Sequence, residues 1–248
     1  MQKNIWRLIS EDRGLQSNLC LAFASGMIEA VSFILCLHIF VAFMTGTAVS
    51  AISSLAINGI TTHTVLSIWS MIMTTLGGFV GALLARIYMD IIKSPNKVFS
   101  KMIGIEVYLL LVATIIGMYS SVFHYSQNIS IQVIIVTILS FLMGYHYNHV
   151  GSSIFNVSFK THFMTGNCWM LLNTFFKKRI FSKELNAKQM YEINMRMFYV
   201  FFIEVFFFLG IALSALLSKY LNFSVLLFPF LIFWMAKVIL CRGLNGDS

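Results

Sequence analysis

Phe43-Met44-Thr45-Gly46-Thr47 reads FMTGT, and Phe163-Met164-Thr165-Gly166-Asn167, 120 residues further on, reads FMTGN. Each copy follows a long apolar stretch and opens a short one. The short pieces, residues 45–57 and 167–176, would make helices of roughly 20 Å and 15 Å at about 1.5 Å per residue. Neither spans a hydrocarbon core of about 30 Å. The repeated tetrapeptide therefore marks two places where the chain starts a helix inside a membrane without crossing it.

The surrounding composition supports a membrane setting. Of 248 residues, 58% are hydrophobic and 10% charged, against about 25% charged in a soluble domain. Lys and Arg are absent from residues 14–85, 102–159, 197–218 and 220–236, and each gap holds a span-length apolar run. Six spans are expected, near residues 18–39, 66–87, 102–121, 129–150, 197–217 and 223–240. If the short pieces do not cross, sixteen basic residues fall on one side and Lys219 alone on the other; if they do cross, the split drops to eleven against six. The positive-inside rule favours six transmembrane helices plus two short re-entrant or broken helices, with both termini cytoplasmic.

Three crossings per half is an odd number, so the second half is expected to be inverted with respect to the first. Residues 1–124 form one repeat and residues 125–248 the other, in a single all-α membrane domain. Two further echoes support the repeat. Gly77-x4-Ala82-Leu83-Leu84-Ala85-Arg86 matches Gly210-x4-Ala215-Leu216-Leu217-Ser218-Lys219, and Gly26-x-x-Glu29 is set against Gly144 and Asn148. Inverted repeats are a common plan for transporters.

The stretch Gly26-Met27-Ile28-Glu29-Ala30, followed by Phe40-Val41-Ala42-Phe43-Met44-Thr45-Gly46-Thr47, resembles the YoaK-like family of bacterial integral membrane proteins (domain of unknown function 1275). The resemblance extends through residues 144–148 and 161–167. It implies a multi-pass protein of the bacterial cytoplasmic (inner) membrane. Members carry Asp where Glu29 stands and Asn where Thr47 stands; Asn167 keeps the family residue, and Asn148 is displaced by one position.

Thr45 and Thr165 are placed to cap the short helices with their hydroxyls, and Gly46 and Gly166 to make the tight turns. Two half-helix starts would then offer N–H donors to a solute. The expected substrate-binding residues are Glu29, Thr45, Gly46, Thr47, Asn148, Thr165, Gly166 and Asn167. Acids inside spans are costly and point to function, so Glu29 and Glu204 are expected to couple an ion. Glu106, five residues from Lys101, is expected to reach the cytoplasmic interface. His146 and His149 read as interfacial histidines without a metal, and residues 177–196 as a helix lying at the head groups.

The reading is thus a small-solute transporter or channel, with a non-transporting scaffold or assembly protein as the alternative. No enzyme, cofactor, metal or nucleic-acid role is expected. The partners are the bilayer, anionic lipid head groups at the cytoplasmic loops and a small solute, and the reading allows a homo-oligomer. Cys20, Cys36, Cys168 and Cys241 have no metal or disulfide spacing.

Overall fold

A computed structural model describes residues 13–123, 125, 128–147, 153–154, 157–158, 171–176, 179 and 186–244. The helices are α1 (Arg13–Leu35), α2 (Met44–Asn58), α3 (Thr62–Ile92), α4 (Pro95–Val122), α5 (Ile129–Tyr147), α6 (Ala187–Leu221) and α7 (Leu227–Leu244). Residues 171–176 are also helical. Ser153–Ile154 and Val157–Ser158 pair as a two-residue antiparallel ladder.

Five stretches among the described residues are long and apolar enough to cross a membrane: Leu15–Leu35, Thr62–Ile92, Lys97–Val122, Ile129–His146 and Gln189–Cys241. The last contains two helices. Asn222, at φ 48°, ends α6, and a 3-10 turn over Asn222–Leu226 leads into α7. α1 is 72% buried and α3 only 22%, so α1 is the enclosed centre and α3 faces the surroundings. α1 packs on α6 and α7, α3 on α5, and α4 on α5 and α7. Leu21, Met27 and Val31 of α1 share one core with Ile135 and Leu139 of α5, Ile103 of α4 and Phe233 of α7.

Two helix crossings are made by glycine, and their contacts correspond residue by residue. A Cβ on Gly26 would overlap the Phe207 carbonyl, and one on Gly210 the Phe23 carbonyl. At the other crossing a Cβ on Gly144 would overlap the Thr74 carbonyl, and one on Gly77 the Phe141 carbonyl. In every case the glycine meets the residue three positions before the opposite glycine. One turn further on, the Ser214 hydroxyl donates to the Met27 carbonyl at 3.0 Å, and Gly81 sits against the Tyr145 carbonyl. Small residues allow this backbone approach.

Three expectations change. The segment before residue 197 is no separate head-group helix from Ala187 onward: it is the first part of α6, opened by a capping box between Asn186 and Gln189. That box satisfies the first backbone donors and lets the helix run on into the apolar stretch. Glu106 does not reach an interface but is buried inside the bundle, and His146 is buried with it. The turn before α2 is not made by Gly46, which lies inside the first turn of the helix.

Candidate functional site around the interrupted first helix

α1 ends at Leu35, and the chain turns back through residues 36–43 before α2 begins. The reversal uses Leu37 and His38, at φ 54° and 60°, a region that non-glycine residues adopt uncommonly, His more readily than Leu. Two contacts fix how deep the returning chain lies. Glu29, six residues or about 9 Å before the end of α1, accepts from the Ala42 N–H through Oε2 at 2.8 Å and from the Phe43 N–H through Oε1 at 3.3 Å. Thr74, twelve residues or about 18 Å into α3, places its hydroxyl 3.4 Å from the Val41 carbonyl. Residues 41–43 therefore lie level with the interiors of both long helices.

From that depth α2 climbs beside α3. Ser50 Oγ meets His63 Nε2 at 3.3 Å, and Ser54 Oγ meets Thr61 Oγ1 at 3.2 Å, so the pair is antiparallel and closes through Gly59 at φ 69°. The fifteen residues of α2 make about 22 Å. Between α2 and α3 lies an apolar groove of about 730 Å³, lined by Ala51, Leu55, Ile68, Met71, Ile72 and Leu76 among others.

The start of α2 differs from the expected one. Phe43, not Thr45, occupies the cap position, and no side chain of its own caps the helix. Thr45 and Gly46 lie inside the first turn, and Gly46 has no left-handed backbone. The chain turns earlier than Thr45: the Glu29 carboxylate holds the Ala42 and Phe43 N–H groups just before the helix, and the Thr47 N–H already donates to the Phe43 carbonyl, so the first helical turn encloses Thr45 and Gly46. Thr47 is buried, and its hydroxyl donates back to the Phe40 carbonyl. Thr45 is exposed.

Aromatic rings close the inner side of the turn. Phe33 stacks on Phe40 at 4.6 Å between centroids, Phe40 meets Phe43 edge-on at 6.1 Å, and Phe43 meets Phe207 of α6 edge-on at 5.9 Å.

The structure thus brings Glu29, Gly46 and Thr47 to one turn. Glu204 lies on α6, 7% exposed, three residues from Phe207. Asn148, Thr165, Gly166 and Asn167, with His149 and the second FMTG, lie outside the described residues. A pair absent from the sequence reading appears elsewhere: His146 Nδ1 lies 2.7 Å from Glu106 Oε1, both side chains fully buried. Its sequence signal was a carboxylate and an imidazole within two apolar runs, forty residues apart, with nothing local to join them.

An interrupted helix held at depth by an intrahelical carboxylate, within a bundle of membrane-length helices, defines a polytopic helical membrane protein. The chain belongs to the family described as protein of unknown function DUF1275, whose pattern matches residues 18–239. Neither the curated proteins nor the solved structures include a match.

Proposed function

We propose that the protein is a small-solute transporter or channel of the bacterial cytoplasmic membrane, built as an inverted repeat of residues 1–124 and 125–248. The observation that carries the reading is the backbone at residues 41–43. Non-helical backbone at membrane depth is tolerated where protein buries it or a cavity faces it, and such interruptions line solute sites in repeat-built transporters. The matched glycine crossings support the repeat, since residues 26 and 77 map onto 144 and 210 together with their contacts. On this reading α6 and α7 cross separately, making six spans. α2 and the helix containing residues 171–176 are the re-entrant pieces, and both termini are cytoplasmic, with lysines and arginines at anionic head groups.

The proposed site comprises Glu29, Thr45, Gly46 and Thr47, completed through the repeat by Asn148, Thr165, Gly166 and Asn167. Glu29 bears on the solute class. Its buried carboxyl puts acceptor oxygens beside the turn, held by the Ala42 and Phe43 N–H groups, where an anion would meet a like acceptor rather than free donors. The solute is accordingly uncharged or cationic.

A second reading, a non-transporting scaffold or assembly protein, is favoured by the packing of Phe33, Phe40, Phe43 and Phe207 against the same turn. Reconstitution separates the two. Proteoliposomes holding the full chain are challenged with a panel of small neutral and cationic solutes while vesicle volume and membrane current are followed. Flux above that of empty vesicles, lost in Thr47→Val, supports transport. Folded protein with no flux for any member supports the scaffold.

A further inference from the structure

Among the described residues α2 packs chiefly on α3, and of its fifteen residues only Thr47 and Ala51 are buried. The two helices close towards Gly59, where the Thr64 hydroxyl donates to Ser54 at 3.0 Å, and leave the apolar groove between them. Its lining runs from Leu55 and Thr64 to Ala48 and Phe79, about 10 Å along α2 and about 22 Å along α3. That is the scale of one leaflet, about 15 Å of a hydrocarbon core of about 30 Å.

The lining decides what fills the groove. Only Thr64 and Thr75 bring hydroxyls to it, and both are spent, Thr64 on Ser54 and Thr75 on the Met71 carbonyl at 2.9 Å. Water held in a cavity needs two or more polar partners, which this lining does not offer. A helix with its side chains is about 10 Å across and over 15 Å occupies about 1,200 Å³, against about 730 Å³ in the groove. A helix of a second copy therefore covers the groove without filling it. A single hydrocarbon chain fits, since pockets of about 300–1,000 Å³ enclose one small molecule.

The same hairpin places the polar end of that chain. Ser54 meets Thr61 at 3.2 Å and Ser50 meets His63 at 3.3 Å, on the side of Gly59. No Lys or Arg occurs from residue 14 to residue 85, so the hairpin gives a free carboxylate no countercharge. A zwitterionic head group needs none.

We propose that the groove between α2 and α3 binds one acyl chain of a zwitterionic phospholipid, taken from the leaflet beside residues 58–64. The chain is the second neighbour that braces α2. Because Thr45, Gly46 and Thr47 lie in the first turn of that helix, the lipid supports the base of the candidate site. This inference rests on the membrane setting and not on transport.

The probe is phosphatidylethanolamine with a diazirine midway along one chain, added below one equivalent to the full chain in dodecylmaltoside micelles and photolysed. Label is expected on Ile52, Ile68 and Ile72 of the groove at about tenfold its level on Ile115 and Val122 of α4, which are similarly exposed; tenfold is a preference of about 1.4 kcal/mol. Leu76→Trp puts an indole into the groove from an exposed position, and is expected to remove the label from Ile52 and Ile68 while leaving α4 unchanged. Label spread over both helices in proportion to exposure, or groove label unaltered by Leu76→Trp, overturns the site. Stronger groove labelling by the corresponding diazirine fatty acid overturns the phospholipid assignment. Disulfide-linked pairs of chains through Ile72→Cys, with the lipid label lost, overturn it in favour of a second copy. The wild-type labelling decides the matter even where a variant fails to fold.

Discussion

The carboxylate of Glu29 and the backbone N–H of Ala42, thirteen residues on, are joined at 2.8 Å across the gap between two helices. With the bond to Phe43, this uses both carboxylate oxygens on donors that have no helical partner. A glutamine has one accepting oxygen, and its NH₂ would face the second N–H. Glu29→Gln is therefore expected to cost about 1–3 kcal/mol, seen as a lowered unfolding temperature in detergent. An unchanged midpoint would show that the turn holds without the carboxylate.

The glycine crossings predict a ranking. Gly26→Ala, Gly210→Ala, Gly77→Ala and Gly144→Ala each drive a methyl into a backbone carbonyl, and overpacking of this kind costs about 1–3 kcal/mol or more. Gly104→Ala meets the mobile end of Lys237 and should be nearly silent. Thermal stability of the five variants by fluorescence-detected size exclusion checks the order; a Gly104 variant as damaged as the rest contradicts it.

His38 has a left-handed backbone, its side chain is exposed, and its ring touches Phe33 edge-on at 5.0 Å. His38→Gly removes a backbone strain of about 1–3 kcal/mol at the loss of that ring contact, so a net gain in stability of up to about 1 kcal/mol is expected. Leu37 also packs against the core, and Leu37→Gly should gain less or lose. Denaturant midpoints of the two variants test the difference.

The proposed topology puts residues 58–64 outside the cell and residues 94–96 inside, at opposite ends of the 31-residue α3. Single cysteines introduced at the two places should react with an impermeant reagent in intact cells only at the first. Equal reactivity would reject the inverted arrangement.

Much of the helical plan was legible in the sequence because it depends on a local rule, the exclusion of charge from apolar runs. That rule placed α2 within one residue of its ends and α3 within five, while α4 starts seven residues earlier than expected because its first two turns carry Lys97 and Lys101. Where a neighbouring signal was read by itself it misled. The lysines and glutamates of residues 177–196 suggested a surface helix, yet from Ala187 they ride on the first turns of α6, because an uninterrupted helix satisfies its backbone more fully than a break would.

By itself the sequence determined that the chain has helices apolar enough to cross a membrane, where the short helix α2 begins, and that FMTG recurs 120 residues on, since hydropathy and spacing are properties of neighbours. Only the tertiary structure decided who satisfies whom. Thr45 had the right chemistry to cap α2, but the helix starts earlier, after Phe43, where the Glu29 carboxylate from another helix holds the Ala42 and Phe43 N–H groups. Glu106 had a lysine five residues away and instead met His146 across forty. In an apolar interior each buried polar group takes the partner that packing brings within about 3 Å, and packing is set by the whole chain.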